Sequence, residues 1–256
     1  MIPRSAFLLL LALLLLQSGC TALHAVTAPG LAHRLPSGKP IRMVTPLATV
    51  YSLDNRQDAS TILKEKSIAL GIAIQKGLNR QLTAKGWQTG PVVSMDWRDM
   101  SAGKPLPAKQ TMTADRQAQA AVNIMRQLDE IGHHLRDNER LDGIGESDQR
   151  VAAADSKILA GDGGSLLFAV VIGCDGRLTD TPCREIQSPP FRDNNRAFGV
   201  YRTLPAGIAL HLYWLAPDNG QLLWYDTACS FNADPFYSKS IATIVAETMS
   251  EFPSSP

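Results

Sequence analysis

Cysteine is scarce in this chain: four residues in 256, at positions 20, 174, 183 and 229. There is no Cys-x-x-Cys pair and no His/Cys cluster, so no zinc site is written into it and no metal or other cofactor is expected. Charge of one sign is missing too. Twenty-five Lys and Arg against 24 Asp and Glu leave +1, with no basic block or stripe, which removes the electrostatic footprint of nucleic-acid binding. Beyond the first twenty residues, no apolar run approaches the roughly 20 residues a membrane span needs. No Gly-x-Ser-x-Gly elbow and no His-Glu-x-x-His pair occurs, and no internal repeat stands out. These absences direct attention to location and type of job rather than to a named reaction.

The sharpest signal is N-terminal. Arg4 precedes the apolar run Ala6–Leu16, which is too short to cross a bilayer and has the length of a signal-peptide core. Gln17-Ser18-Gly19-Cys20 follows at once. It resembles a bacterial lipobox, in which small residues precede a cysteine that becomes the acylated N-terminus. Ser18 and Gly19 fit; Gln17 stands where an aliphatic residue is usual. The other reading is ordinary small-residue cleavage after Ala22 or Ala25. The lipobox resemblance implies lipid attachment at Cys20, and Thr21 in place of Asp implies sorting to the outer membrane. Several acyl chains on one cysteine anchor stably, at about 0.8 kcal/mol per buried CH₂.

The chain then divides into a signal peptide (1–19), a lipidated N-terminus and flexible tether (20–40), and one α/β domain (41–256). That domain carries a helical insert at 113–160 and a long loop at 175–205. Roughly 235 residues remain after cleavage, enough for a substantial core. Pro29, Gly30, Pro36, Gly38 and Pro40 mark the tether, whose fully extended reach is about 65–70 Å.

Ile41–Leu53 reads as a first strand, with Pro46 demanding an edge position or a bulge. Ser60–Lys85 reads as a helix on the stripe Leu63, Leu70, Ile74, Leu78 and Leu82, with Ser60 as N-cap and Gly86 as stop. Gly71 and Gly77 inside it imply close packing. Trp87–Trp97 is expected as a second strand despite Pro91, and Thr113–Leu141 and Asp148–Leu159 as helices. Leu166–Ile172 is a near-continuous apolar run, as in a strand covered on both faces. Ile208–Leu215 and Leu222–Phe231 flank the turn Pro217-Asp218-Asn219-Gly220 as a hairpin. Asp234-Pro235 is the expected start of a last helix burying Ile241, Ile244, Val245, Met249 and Phe252. The order β-α-β-α-α-β-β-β-α predicts an α/β (α+β) fold with a single mixed sheet packed with helices.

Candidate site residues are few. His133, His134 and Asp137 share a helix but lack further ligands. Gly161-Asp162-Gly163-Gly164 precedes a strand, whereas phosphate loops follow one. His211 and Tyr213, on one strand face, are candidates to line a groove. The long loop is the better candidate: Phe191, Arg196, Phe198 and Tyr201, beside Arg184, Arg192 and Arg202, have the aromatic-plus-arginine character of partner-binding surfaces. Export permits disulfides. Cys174 and Cys183 bracket a short turn-rich segment whose closure is worth roughly 2–3 kcal/mol. Cys229 paired with one of them, or three buried thiols, are the alternatives.

The lipobox-like start, the strand-helix-strand opening, and the hairpin Asp218-Asn219-Gly220-Gln221-Leu222-Leu223-Trp224 before a C-terminal helix resemble a group of bacterial envelope lipoproteins. It includes penicillin-binding-protein activator, curli-secretion-type and GNA-type lipoproteins with a fold similar to the N-terminal domain of TolB. The resemblance implies a non-enzymatic periplasmic module that binds another envelope protein, and it carries over no catalytic residue. An exported enzyme acting on envelope polymer is the competing class, and a small-molecule carrier a third. A cleft with clustered titratable groups would favour the enzyme, an exposed apolar patch the binder, and a closed apolar pocket the carrier.

Overall fold

The run Leu166–Ile172 lies at the centre of the structure, a computed structural model that describes residues 25–31, 39–53, 60–97, 112–142, 148–161, 164–177, 205–231 and 234–256. In chain order the elements are β1 (Val26–Thr27), β2 (Ile41–Met43), β3 (Leu47–Leu53), β4 (Ser60–Ile62), α1 (Lys64–Ala84), α2 (Met112–Asp142), α3 (Ala153–Ala160), β5 (Ser165–Arg177), β6 (Pro205–Leu215), β7 (Leu222–Phe231) and α4 (Ser238–Thr248). The strands form one mixed sheet ordered β1-β7-β6-β5-β3-β4, with β2 also paired to β5. β2 and β3 run parallel to β5, and the other pairings are antiparallel. The class is α+β, as the element pattern implies.

Helices cover both faces of the sheet, which is why β5 reads as continuously apolar. Leu167, Ala169 and Val171 pack with Leu70, Ile74, Leu78 and Leu82 of α1 and Ile244 and Val245 of α4. Leu166, Phe168 and Val170 point the other way, into Ala121, Ile124, Met125 and Leu128 of α2 and Leu159 of α3. Each fully buried Leu, Ile, Val, Phe or Met among them is worth about 1.5–3 kcal/mol relative to exposure. The two helix glycines sit at the tight approaches expected of them. A Cβ on Gly71 would lie 3.4 Å from the Ala48 Cβ, and one on Gly77 would lie 3.2 Å from Val245.

An aromatic corner closes the first layer. Trp214 meets Trp87 edge-on at 5.3 Å and Phe252 at 5.0 Å, and Phe252 meets Trp224 at 4.8 Å. Two of the three buried indoles in this corner are anchored: Trp214 Nε1 donates to Ser165 Oγ at 2.6 Å and Trp87 Nε1 to the Pro253 carbonyl at 2.7 Å.

Several expectations need correction. Ser60 is not a helix cap. Ser60–Ile62 pairs with Leu53–Tyr51 as β4, and α1 begins at Lys64 without a side-chain cap, although Gly86 (φ +84°) does end it. Trp87–Trp97 is not a full strand. It touches β2 and the residue after it through two isolated bridges, Ile41 to Thr89 and Val44 to Val93, since Pro91 cannot donate to a ladder. The third helix starts at Ala153, because the backbone before it pairs with the hairpin turn: Val151 N–H donates to the Gly220 carbonyl and Leu222 N–H to Gln149. Asp234 caps a turn rather than α4, its carboxylate accepting the Phe236 N–H at 2.8 Å. Nor is the tether free throughout. Val26 and Thr27 pair with β7, Ala28 N–H donates to the Leu223 carbonyl, and Val26, Ala28 and Leu31 are buried.

Candidate functional site

Pro46 organises the site. It breaks the first strand into β2 and β3 and has no N–H to offer a neighbour. On one side β3 pairs with β5 from Leu47 to Ser52. Among the described residues its other edge is covered at both ends and open between. Toward β4, Leu63 N–H donates to the Val50 carbonyl at 2.8 Å, while Val50 N–H donates to Ser67 Oγ at 2.9 Å. Toward β2, Thr45 N–H donates to the Val93 carbonyl at 3.0 Å, Met95 N–H to Thr45 Oγ1 at 3.1 Å, and the Trp97 indole to the Thr45 carbonyl at 2.7 Å. From Pro46 to Thr49 that edge has no neighbouring strand among the described residues.

The gap is the floor of a groove of about 420 Å³. One wall is the first three turns of α1, with Ser67, Ile68, Gly71, Ile72 and Gln75; the other is Ser94–Trp97. Ile68 and Ile72 are 47% and 50% exposed and stand one helical turn apart, so they form one apolar ridge. Gly71 lets the helix sit low against Ala48. Among the described lining residues the charged groups are Lys64 and Asp96, both exposed at the rim. The groove is mainly an apolar surface beside a strand edge.

A second hollow of about 360 Å³ lies between Ala28–Leu31 and the hairpin turn, lined also by Lys39, Ser165 and Asp218. It marks where the N-terminal segment docks.

The sequence-derived candidates fall elsewhere. Cys20, Cys183, Phe191, Arg196, Phe198 and Tyr201 lie outside the described residues. Cys174 is buried on β5 and Cys229 on β7. Cys174 stands opposite Gly207, and Gly207 opposite Phe231. Two strand spacings, roughly 10 Å, therefore separate Cys174 from the Cys229 strand, beyond the reach of a disulfide between those two. His211 does not line a groove: it is 1% exposed, with Nδ1 3.4 Å from the Tyr225 hydroxyl, and Tyr213 stacks on Tyr225 at 4.9 Å. His134 is exposed on α2. Among the described residues no group of three or more His, Cys, Asp or Glu is placed to hold a metal ion.

The groove residues were not among the candidates, yet they left a trace. At 100° per residue, Ile68 and Ile72 lie roughly opposite Leu70 on the helix, so they are apolar residues on a face the core does not use.

No protein-family model matches the chain, and no curated protein matches it. Among solved structures it is similar to two of the PelC dodecamer from Paraburkholderia phytofirmans, one of them a point variant. Each is 10% identical with a TM-score of 0.33, over 89% of this chain and 93% or 94% of theirs. So low a TM-score does not establish a shared fold.

Proposed function

We propose that this chain is an outer-membrane lipoprotein, anchored through Cys20, whose periplasmic domain is a non-catalytic module. It binds another envelope protein in assembly or transport, using the groove between α1 and Ser94–Trp97. The observation that carries the reading is the ridge of Ile68 and Ile72, half exposed beside a strand edge that no other strand covers among the described residues. Apolar side chains kept at a built concavity favour a protein partner over a titratable reaction centre. The lipobox-like Gln17-Ser18-Gly19-Cys20 supports the anchor.

The test is a photo-crosslinking amino acid placed at Ile72 in cells, with Arg80 as a control position on the same helix. One discrete adduct is expected from position 72 and none from 80, and Ile68→Asp should abolish it. Equal labelling at both positions, or an adduct indifferent to Ile68→Asp, would remove the groove from the binding role.

A further inference from the structure

We infer that the groove receives its partner as an extended segment, added as a short strand along Ala48. This rests on the reading of the groove as a protein-binding site and names the form of the ligand. Backbone groups alternate in direction along a strand paired in parallel. Val50 turns its N–H and C=O away from β5, toward Ser67 and Leu63. Ala48, two residues earlier, turns its own N–H and C=O the same way, into the groove. Those groups select the occupant. A helix, an acyl chain or a small apolar molecule lying on Ile68 and Ile72 would bury the Ala48 amide and carbonyl without partners, an outcome folded proteins avoid. An extended backbone pairs with both while presenting alternate side chains to the ridge, as in other strand-addition complexes.

The geometry also limits length. β4 leaves the edge at Leu63, and the chain at Val93–Met95 covers it up to Thr45. The open stretch from Pro46 to Thr49 spans about 13 Å at roughly 3.3 Å per residue, room for three or four partner residues. Pro46 supplies a carbonyl but no N–H, so the recognised segment is short, weakly hydrogen-bonded and dependent on its apolar side chain against Ile68 and Ile72.

The experiment uses the full-length chain in detergent and two readouts. Amide hydrogen exchange by NMR compares Ala48 with Val50, whose N–H is bonded to Ser67. Ala48 should exchange at least tenfold faster in the protein alone; equal protection would mean the edge is already covered and would overturn the inference. Next, random dodecapeptides displayed on phage are selected on the wild-type chain and counter-selected on Ile72→Asp, whose folding is checked by thermal unfolding. Selected peptides should slow Ala48 exchange. N-methylation of a backbone nitrogen should weaken them at least tenfold at the position paired with Ala48 and not at the next residue. Peptides that need Ile72 but tolerate N-methylation everywhere would overturn strand addition and leave the groove as a protein site. Selection of none that distinguish wild type from Ile72→Asp would overturn both.

Discussion

Single side chains decide how the strand edge and the helix meet. Ser67 Oγ donates to the Leu63 carbonyl at 2.8 Å and accepts the Val50 N–H at 2.9 Å, so one hydroxyl joins the first turn of α1 to β3. Ser67→Ala would strand a buried amide, and urea unfolding should show a loss of about 1–3 kcal/mol. Gly220 is constrained differently. Its φ is +67°, and a Cβ there would come 2.2 Å from the Val151 carbonyl oxygen. Gly220→Ala should therefore lower thermal stability by more than the roughly 1 kcal/mol typical of a point mutant. Gly220 was legible, because Asp218-Asn219-Gly220 is a turn signal by composition. Ser67 was not, because a serine on a helix has no pattern of its own and its partner is fixed only when β3 arrives.

Elements were legible where apolar period and burial coincide. Of the stripe Leu63, Leu70, Ile74, Leu78 and Leu82, the last four are fully buried while Leu63 precedes α1, and α4 buries Ile241, Ile244 and Val245, with Met249 and Phe252 buried just beyond its end. Their boundaries were less legible. Ser60 and Asp234 have the chemistry of caps, yet the first was recruited into β4 and the second into a preceding turn. Local preference of about 1 kcal/mol for a cap yields to strand pairing and packing. Phe252 closes the aromatic corner from beyond the end of α4, so Phe252→Ala should cost about 3–5 kcal/mol in chemical denaturation. The exposed α1 face behaves otherwise. Ile68→Asp and Ile72→Asp should leave stability within about 0.5 kcal/mol while removing the crosslinked partner, a split that a core residue would not give.

At the scale of the whole molecule, docking of residues 25–31 changes what the anchor allows. A tether running to Pro40 could extend about 65–70 Å, but Val26 already pairs with β7. From Cys20 to Val26 the chain spans at most about 20 Å, so a lipidated protein would hold the β1 edge close to the bilayer. The open stretch of β3 lies toward the opposite end of the strand order, four spacings or roughly 19 Å away. If Cys20 is lipidated as proposed, the groove would thus lie away from the anchored edge of the sheet. Cys20→Ser should shift the protein from the membrane to the soluble fraction on ultracentrifugation; unchanged sedimentation would rule out the lipid anchor.

Composition and period by themselves determined the mixed sheet with helices, the doubly covered central strand, the hairpin and the two buried helix faces, because burial on one or both faces imposes a pattern that can be read along the chain. They could not determine what depends on segments far apart in sequence. His211 and Tyr213 share a strand face as groove residues would, but both are buried, and Tyr213 packs in the core layer to which α2 contributes. The groove itself exists because β4 leaves the edge at Leu63 and Trp97 folds back onto Thr45, leaving Ala48 between them. Neither event is a property of a local window. Only the tertiary structure decides which backbone groups of a strand stay uncovered, since that depends on where the neighbouring chains stop.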